Sequence, residues 1–258
     1  MAGLHLIKTY FSDSDEDEHD EEKDDEIINT QTKLALPTSI LSLKGITYHE
    51  EVIDDPSDHD GRIRSFQHER GNWATLVYID YITSDCLHTW MKSILNELPV
   101  QGEIISSLHI SLSRTLILKF HWIESFVESL KLLCRRFHQF VVQLTDVKVY
   151  CNEERTRTFL GIYCQDEDGT LKRLTEAIDC LLAEYQLPLF YKDLSYHISF
   201  FWCLGDKQMY LKKILPSLTC NLNTFLAENI EDTYVHVKKI QCKIGNKCYS
   251  FELKKNSL

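Results

Sequence analysis

Nowhere in the 258 residues does an apolar run approach the ~18 that a membrane-spanning helix needs, so no membrane partner is expected. The opening "MAGLHLIKTYFSDSDEDE" has neither the basic start nor the long apolar stretch of a secretory signal. It is also too acidic for a mitochondrial transit peptide. Cys-x-x-Cys pairs are missing. The nine cysteines are odd in number, scattered and mostly set among apolar neighbours, and Cys242 with Cys248 makes a poor zinc knuckle. That usage fits reduced, buried thiols and argues against a structural metal; no metal and no cofactor are expected. A broad basic surface is lacking too. The net charge is −11, but residues 12–26, "SDSDEDEHDEEKDDE", hold eleven acidic residues and one lysine, which leaves 28 acidic against 27 basic elsewhere. A near-neutral body excludes a protein that follows long stretches of nucleic acid through many phosphate contacts.

What is present is enough apolar material, 43% with 11% aromatic, for a sizeable core. Residues 1–45 read as a disordered acidic tail and 46–258 as one bilobed domain. Ser12 and Ser14 precede acidic residues and suit phosphorylation, beside the plainer reading of a solvated tail. From about residue 60, strand and helix patterns alternate. Strands are expected at 72–80, 108–115, 146–152, 157–164 and 196–203. Helices are expected at 84–98 (Ser84 as N-cap), 121–140, 171–186 and around 207–215. A hairpin over 233–253 turns at Gly245-Asn246. This order predicts an α+β fold of two antiparallel sheets with helices outside and a central cleft.

One pattern occurs twice. "LHISLSRT" (108–115) and "YHISFFWC" (196–203) carry His-Ile-Ser 88 residues apart, each inside an apolar run. Strand alternation puts His109, Ser111 and Ser113 on one face and Leu108, Ile110 and Leu112 on the other. It likewise separates His197 and Ser199 from Tyr196, Ile198 and Phe200. Facing each other, the polar edges form a cleft with two imidazoles and two hydroxyls. Such a site cleaves a phosphodiester without metal. One neutral imidazole takes the proton of a ribose 2′-OH, the other gives one to the leaving 5′-oxygen, and the hydroxyls hold the non-bridging oxygens. The product is a 2′,3′-cyclic phosphate and the substrate RNA. A single His-x-Ser in a strand is ordinarily structural; the duplication is what points to chemistry.

Two His-x-Ser motifs flanked by apolar residues resemble the two-histidine phosphoesterase superfamily. The stretches "GRIRSFQHERGNWATLVYI" (61–79), "LHISLSRTLILKFHWIESFVESLK" (108–131), "VYCNEERTRTFLGI" (149–162), "LFYKDLSYHISFFWCLGD" (189–206) and "IGNKCYSFEL" (244–253) are similar, within it, to the U6 small nuclear RNA phosphodiesterase family. The resemblance spans roughly residues 60–253. It implies a bilobed fold, a metal-independent 3′–5′ exoribonuclease trimming oligouridine from the RNA 3′ end, and a nuclear location; a monomer is expected. It also implies His109 as base, His197 as acid, and Ser111 and Ser199 on the phosphate. Tyr191 would stack on the terminal base, and Asp193, Leu194, Ser195, Tyr196 and Ile198 fall on the nucleotide-binding segment. Glu153 stands where that family carries a glutamine that touches the nucleotide; a carboxylate accepts only, so an altered preference between uridine and adenosine is expected. Arg114, Arg155, Arg157 and Lys192 are candidates for a local cationic lip. The alternatives are a 2′,3′-cyclic phosphodiesterase or 2′,5′-linkage nuclease with the same histidines, a non-catalytic RNA- or nucleotide-binding module, and a metal-dependent nuclease.

Overall fold

In a computed structural model of the chain, residues 69–256 are described, together with residue 66. The acidic tail, Ser12, Ser14 and most of 61–68 lie outside the described residues.

Alternating apolar residues set the strands. β1 (Asn72–Asp80) buries Val77 and Ile79 and leaves Tyr78 and Asp80 on its other face. Its helix, α1 (Asp85–Leu95), starts where Ser84 Oγ accepts the Leu87 N–H at 3.0 Å, as its sequence predicts, and itself donates to Asp232 at 2.8 Å. Two short strands, β2 (Glu103–Ile104) and β3 (His109–Ser111), precede β4 (Leu116–Lys119). Leu112 and Ser113 both donate to the Val77 carbonyl, so the expected strand over 108–115 breaks after Ser111.

Helix α2 (Ile123–Cys134) is shorter than the 121–140 expected. Phe137 and Gln139 hydrogen-bond the backbone of Lys254, and Phe140 already opens β5 (Phe140–Cys151). The helical spacing of the apolar residues runs on past the point where another segment captures the backbone. β5 turns through "NEERT" into β6 (Arg157–Gln165). Asn152 Oδ1 accepts the Arg157 N–H at 2.8 Å there, and Arg155 adopts φ 53. α3 (Thr170–Glu184) follows Gly169, whose φ of 64 suits glycine, and β7 (His197–Leu204) follows α3. The expected helix near 207–215 is α4 (Gln208–Lys212), and a longer α5 (Leu215–Glu228), which the sequence reading missed, starts with Pro216 in its first turn. The C-terminal hairpin is β9 (Lys239–Ile244) and β10 (Lys247–Glu252), turning at Gly245-Asn246 as expected. The preceding β8 (Tyr234–Val237) instead joins β5.

The strands lie in the order β10-β9-β1-β3-β7-β6-β5-β8, with β4 on β1 and β2 on β7. The two antiparallel sheets expected are the two halves of this array. They meet where β3 pairs antiparallel with β7 at Ile110–Ile198. Val77, Ile79, Ile110, Ile162, Ile198 and Phe200 all point to one face and merge with the apolar faces of α1, α2, α3 and α5 into a common core. Burying each such side chain contributes about 1.5–3 kcal/mol. The helices thus cover one face of the array, and the imidazoles sit on the other.

Candidate active site

Around the Ile110–Ile198 pair, antiparallel register sets His109 across from Ser199 and Ser111 across from His197. The two histidines are then diagonal neighbours, about 7–8 Å apart in such a ladder, as are the two serines. The four side chains expected to act together are brought together, all half-buried on the face opposite the core. Ser113, on the same edge by alternation, is used structurally: its Oγ accepts the Val77 N–H at 2.9 Å and donates to the Arg114 carbonyl.

Each imidazole is held the same way. His109 Nδ1 faces the Ser107 carbonyl at 3.3 Å and His197 Nδ1 the Ser195 carbonyl at 2.7 Å. A carbonyl only accepts, so in both rings Nδ1 carries the hydrogen and Nε2 is left for chemistry. The packing differs. Tyr78 meets His109 edge-on at 5.4 Å between ring centres, whereas Tyr150 lies flat on His197 at 3.5 Å with 13° between the planes. The Tyr150 hydroxyl hydrogen-bonds Ser195 Oγ at 3.0 Å.

Burial lowers the pKa of both imidazoles, because a desolvated ring resists charge. His197 falls to about 4; the Ser195 carbonyl favours its proton, while the positive charges of His109 and Lys148 oppose it. At His109 the Ser107 carbonyl and the Asp80 carboxylate both work against the lowering. Lys148, absent from the sequence reading, sits with its ammonium 3.2 Å from the centre of the Tyr163 ring, and Tyr163 is the register partner of His197.

Tyr191 and Glu153 converge on Arg114. The guanidinium lies 4.1 Å over the Tyr191 ring and pairs with Glu153 at 2.9 Å. Asp193 and Leu194 are exposed on the segment before β7. Two residues of the expected nucleotide-binding segment, Tyr196 and Ile198, turn their side chains into the core. Tyr196 is 7% exposed, its hydroxyl donates to Thr175 Oγ1 at 3.0 Å, and Ile198 is fully buried, because alternation from His197 sends both neighbours inward. Ser195 contributes its carbonyl and hydroxyl to His197 and Tyr150. Of the proposed cationic lip, Arg155 pairs with Asp206 at 3.3 Å, Arg157 lies over Phe159, and Lys192 is exposed. Among the described residues, no cluster of three or more His, Cys, Asp or Glu is arranged to hold a metal ion.

Sequence reasoning missed Tyr150, Tyr78, Lys148 and Gly161. The alternation in "VKVYC" marked Lys148 and Tyr150 as sharing a face, but which face became visible only with the register to β6.

Residues 34–252 match a family model described as "HVSL: Uncharacterised conserved protein". The chain is 36% identical over 227 residues to U6 snRNA phosphodiesterase 1 of Xenopus laevis, covering 85% of this chain and 89% of the relative. It is 36% identical over 230 residues to the Homo sapiens protein of the same name, covering 86% and 84%. A looser likeness, with a TM-score of 0.47 and 15% identity over 69% of this chain and 97% of the other, links it to the solved structure of Kluyveromyces marxianus Usb1. The chain belongs to the HVSL family, among the U6 snRNA phosphodiesterase 1 proteins.

Proposed function

We propose that this chain is a metal-independent 3′–5′ exoribonuclease that trims the oligouridine end of U6 small nuclear RNA, in the nucleus and as a monomer. The observation that carries the reading is the diagonal placement of two Nδ1-anchored imidazoles, each with a serine hydroxyl across the strand pair. A phosphodiester seated over this seam has an imidazole Nε2 toward each side. One neutral ring removes the proton of the penultimate ribose 2′-OH. The freed oxygen forms a bond to phosphorus, the bond to the 5′-oxygen of the last nucleoside breaks, and the second ring, protonated, gives its proton to that oxygen. The products are a nucleoside and a chain ending in a 2′,3′-cyclic phosphate, with no net change in protons. Each proton transfer contributes about 10²–10⁴ in rate. Ser111 and Ser199 hydroxyls donate to the non-bridging oxygens as charge grows there. Tyr191, already stacked on Arg114, offers a ring for the leaving base, a contact worth about 1–3 kcal/mol.

The test is an oligouridine-tailed RNA incubated with the protein in EDTA, followed by mass spectrometry of both products. The first cut is expected to release a free nucleoside and each later cut a nucleoside 2′,3′-cyclic phosphate, with the shortened RNA ending in a 2′,3′-cyclic phosphate throughout. Release of nucleoside monophosphates with 3′-hydroxyl ends, or loss of activity that added metal restores, overturns the reading.

A further inference from the structure

Three strands build a tight contact around His197. Its ring lies on Tyr150 from β5, the Tyr150 hydroxyl bonds Ser195 Oγ, and the Ser195 carbonyl receives the His197 Nδ1–H, so the contacts close a ring. Between the strands carrying Tyr150 and His197 stands Gly161 of β6, register partner of both Lys148 and Ser199. A Cβ at Gly161 would come 2.9 Å from His197 Cδ2 and 3.0 Å from Tyr150 Cε2. Real Cβ atoms essentially never come as close as the first contact and seldom as close as the second, so a side chain here would push on the His197 ring and crowd Tyr150 against it. Plain core packing asks for none of this. Tyr150 is half-buried on the cleft face, its hydroxyl is spent on the residue that fixes the histidine tautomer, and His109 has no such flat-lying partner in Tyr78.

We infer that Tyr150 is a positioning residue: with Ser195, and in the space left by Gly161, it locks the His197 ring in the Nδ1–H tautomer with Nε2 aimed at the scissile linkage. The inference rests on the proposed reaction at His197. Tyr150 touches no reacting atom and acts only through the ring it covers. Losing the stack frees the imidazole to rotate and to exchange tautomers. Losing the hydroxyl alone loosens Ser195 but leaves the stack.

The experiment compares Tyr150→Ala, Tyr150→Phe, Gly161→Ala and His197→Ala, each confirmed folded by urea denaturation. The readouts are single-nucleoside release from oligouridine and ¹⁵N spectra of the His197 ring nitrogens. Tyr150→Ala and Gly161→Ala are expected to lower kcat about 100-fold, the loss that a misplaced group produces, with KM moved only about threefold, and to show mixed His197 tautomers. Tyr150→Phe should fall between these and the wild type. Gly161→Ala keeps the tyrosine and so tests the geometry should Tyr150→Ala unfold. If His197→Ala is inactive while Tyr150→Ala and Gly161→Ala keep wild-type kcat and a single tautomer, the positioning role is overturned and the proposed reaction stands. If His197→Ala still trims, the reaction itself fails and the role of Tyr150 fails with it.

Discussion

The low pKa of His197 leads to a sharp expectation about how the site acquires its acid. At a pKa of about 4, only about one ring in a thousand is protonated at pH 7, a deficit of about 4 kcal/mol. A general acid so rarely loaded would contribute little. The substrate supplies what is missing. A phosphodiester anion about 4 Å from the ring, at an effective dielectric of about 20, favours the charged imidazole by about 4 kcal/mol. The two magnitudes cancel, and binding should return His197 to a pKa of about 7, where acid and base forms are both at hand. The perturbation is an oligouridine whose penultimate ribose lacks its 2′-OH, so that it binds without being cleaved. NMR titration of the labelled His197 ring, free and saturated with this ligand, reads the change. A rise of about three pH units supports the reasoning; a His197 that stays below about 5 in the complex refutes it.

Two further outcomes follow from the same contacts. Because the folded pKa of His197 lies below the unfolded value near 6.5, the unfolded chain binds more protons between those values. Stability is therefore fully present above pH 6.5 and falls as the pH drops toward 4, by up to about 3 kcal/mol from this residue. Urea denaturation should show His197→Asn losing less than the wild type over that window; parallel losses would contradict the burial argument. Glu153→Gln breaks an ion pair to Arg114 whose carboxylate is 63% exposed, worth under about 1 kcal/mol, so the urea midpoint should hold while the ratio of uridine to adenosine trimming changes. An unchanged ratio removes Glu153 from reading the base.

The parts of the site legible in the sequence are those that strand alternation governs locally. His109 with Ser111, and His197 with Ser199, could be placed on one face by counting, and Ser84 announced α1 by its capping chemistry. What escaped depends on partners distant in sequence. β2 and β4 are too short to show a period. α2 stops at Cys134 although Phe137 continues its apolar spacing, because Lys254 claims the backbone of 137 and 139. Along β7 a register shift opposite Leu160–Gly161 puts both Phe200 and Phe201 in the core, so simple alternation fails beyond Ser199. Tyr196 and Ile198 lay inside a segment implied by resemblance to bind nucleotide, yet the same alternation that exposes His197 buries both. Tyr150 and Gly161 could not be found by counting at all, since their relation to His197 is one of register across three strands.

The duplication also conceals an asymmetry. Two copies of His-Ile-Ser invite equal roles, but the halves surround their imidazoles differently. At His109 the Asp80 carboxylate favours a proton, and the ring meets only the edge of Tyr78. At His197 the neighbouring charges, His109 and Lys148, oppose one, and the ring is held flat under Tyr150. Without ligand, the neighbouring charges favour a proton at His109 and oppose one at His197, which runs against the base and acid assignment that the resemblance implies. An acid–base pair works when its members' pKa values are pushed apart, and here the direction of that push is set before substrate arrives. For His197 to serve as acid, the scissile phosphate must sit closer to it than to His109, by enough to overcome Lys148. The titration in the complex therefore decides more than a magnitude: whichever ring takes the proton beside the phosphate is the acid.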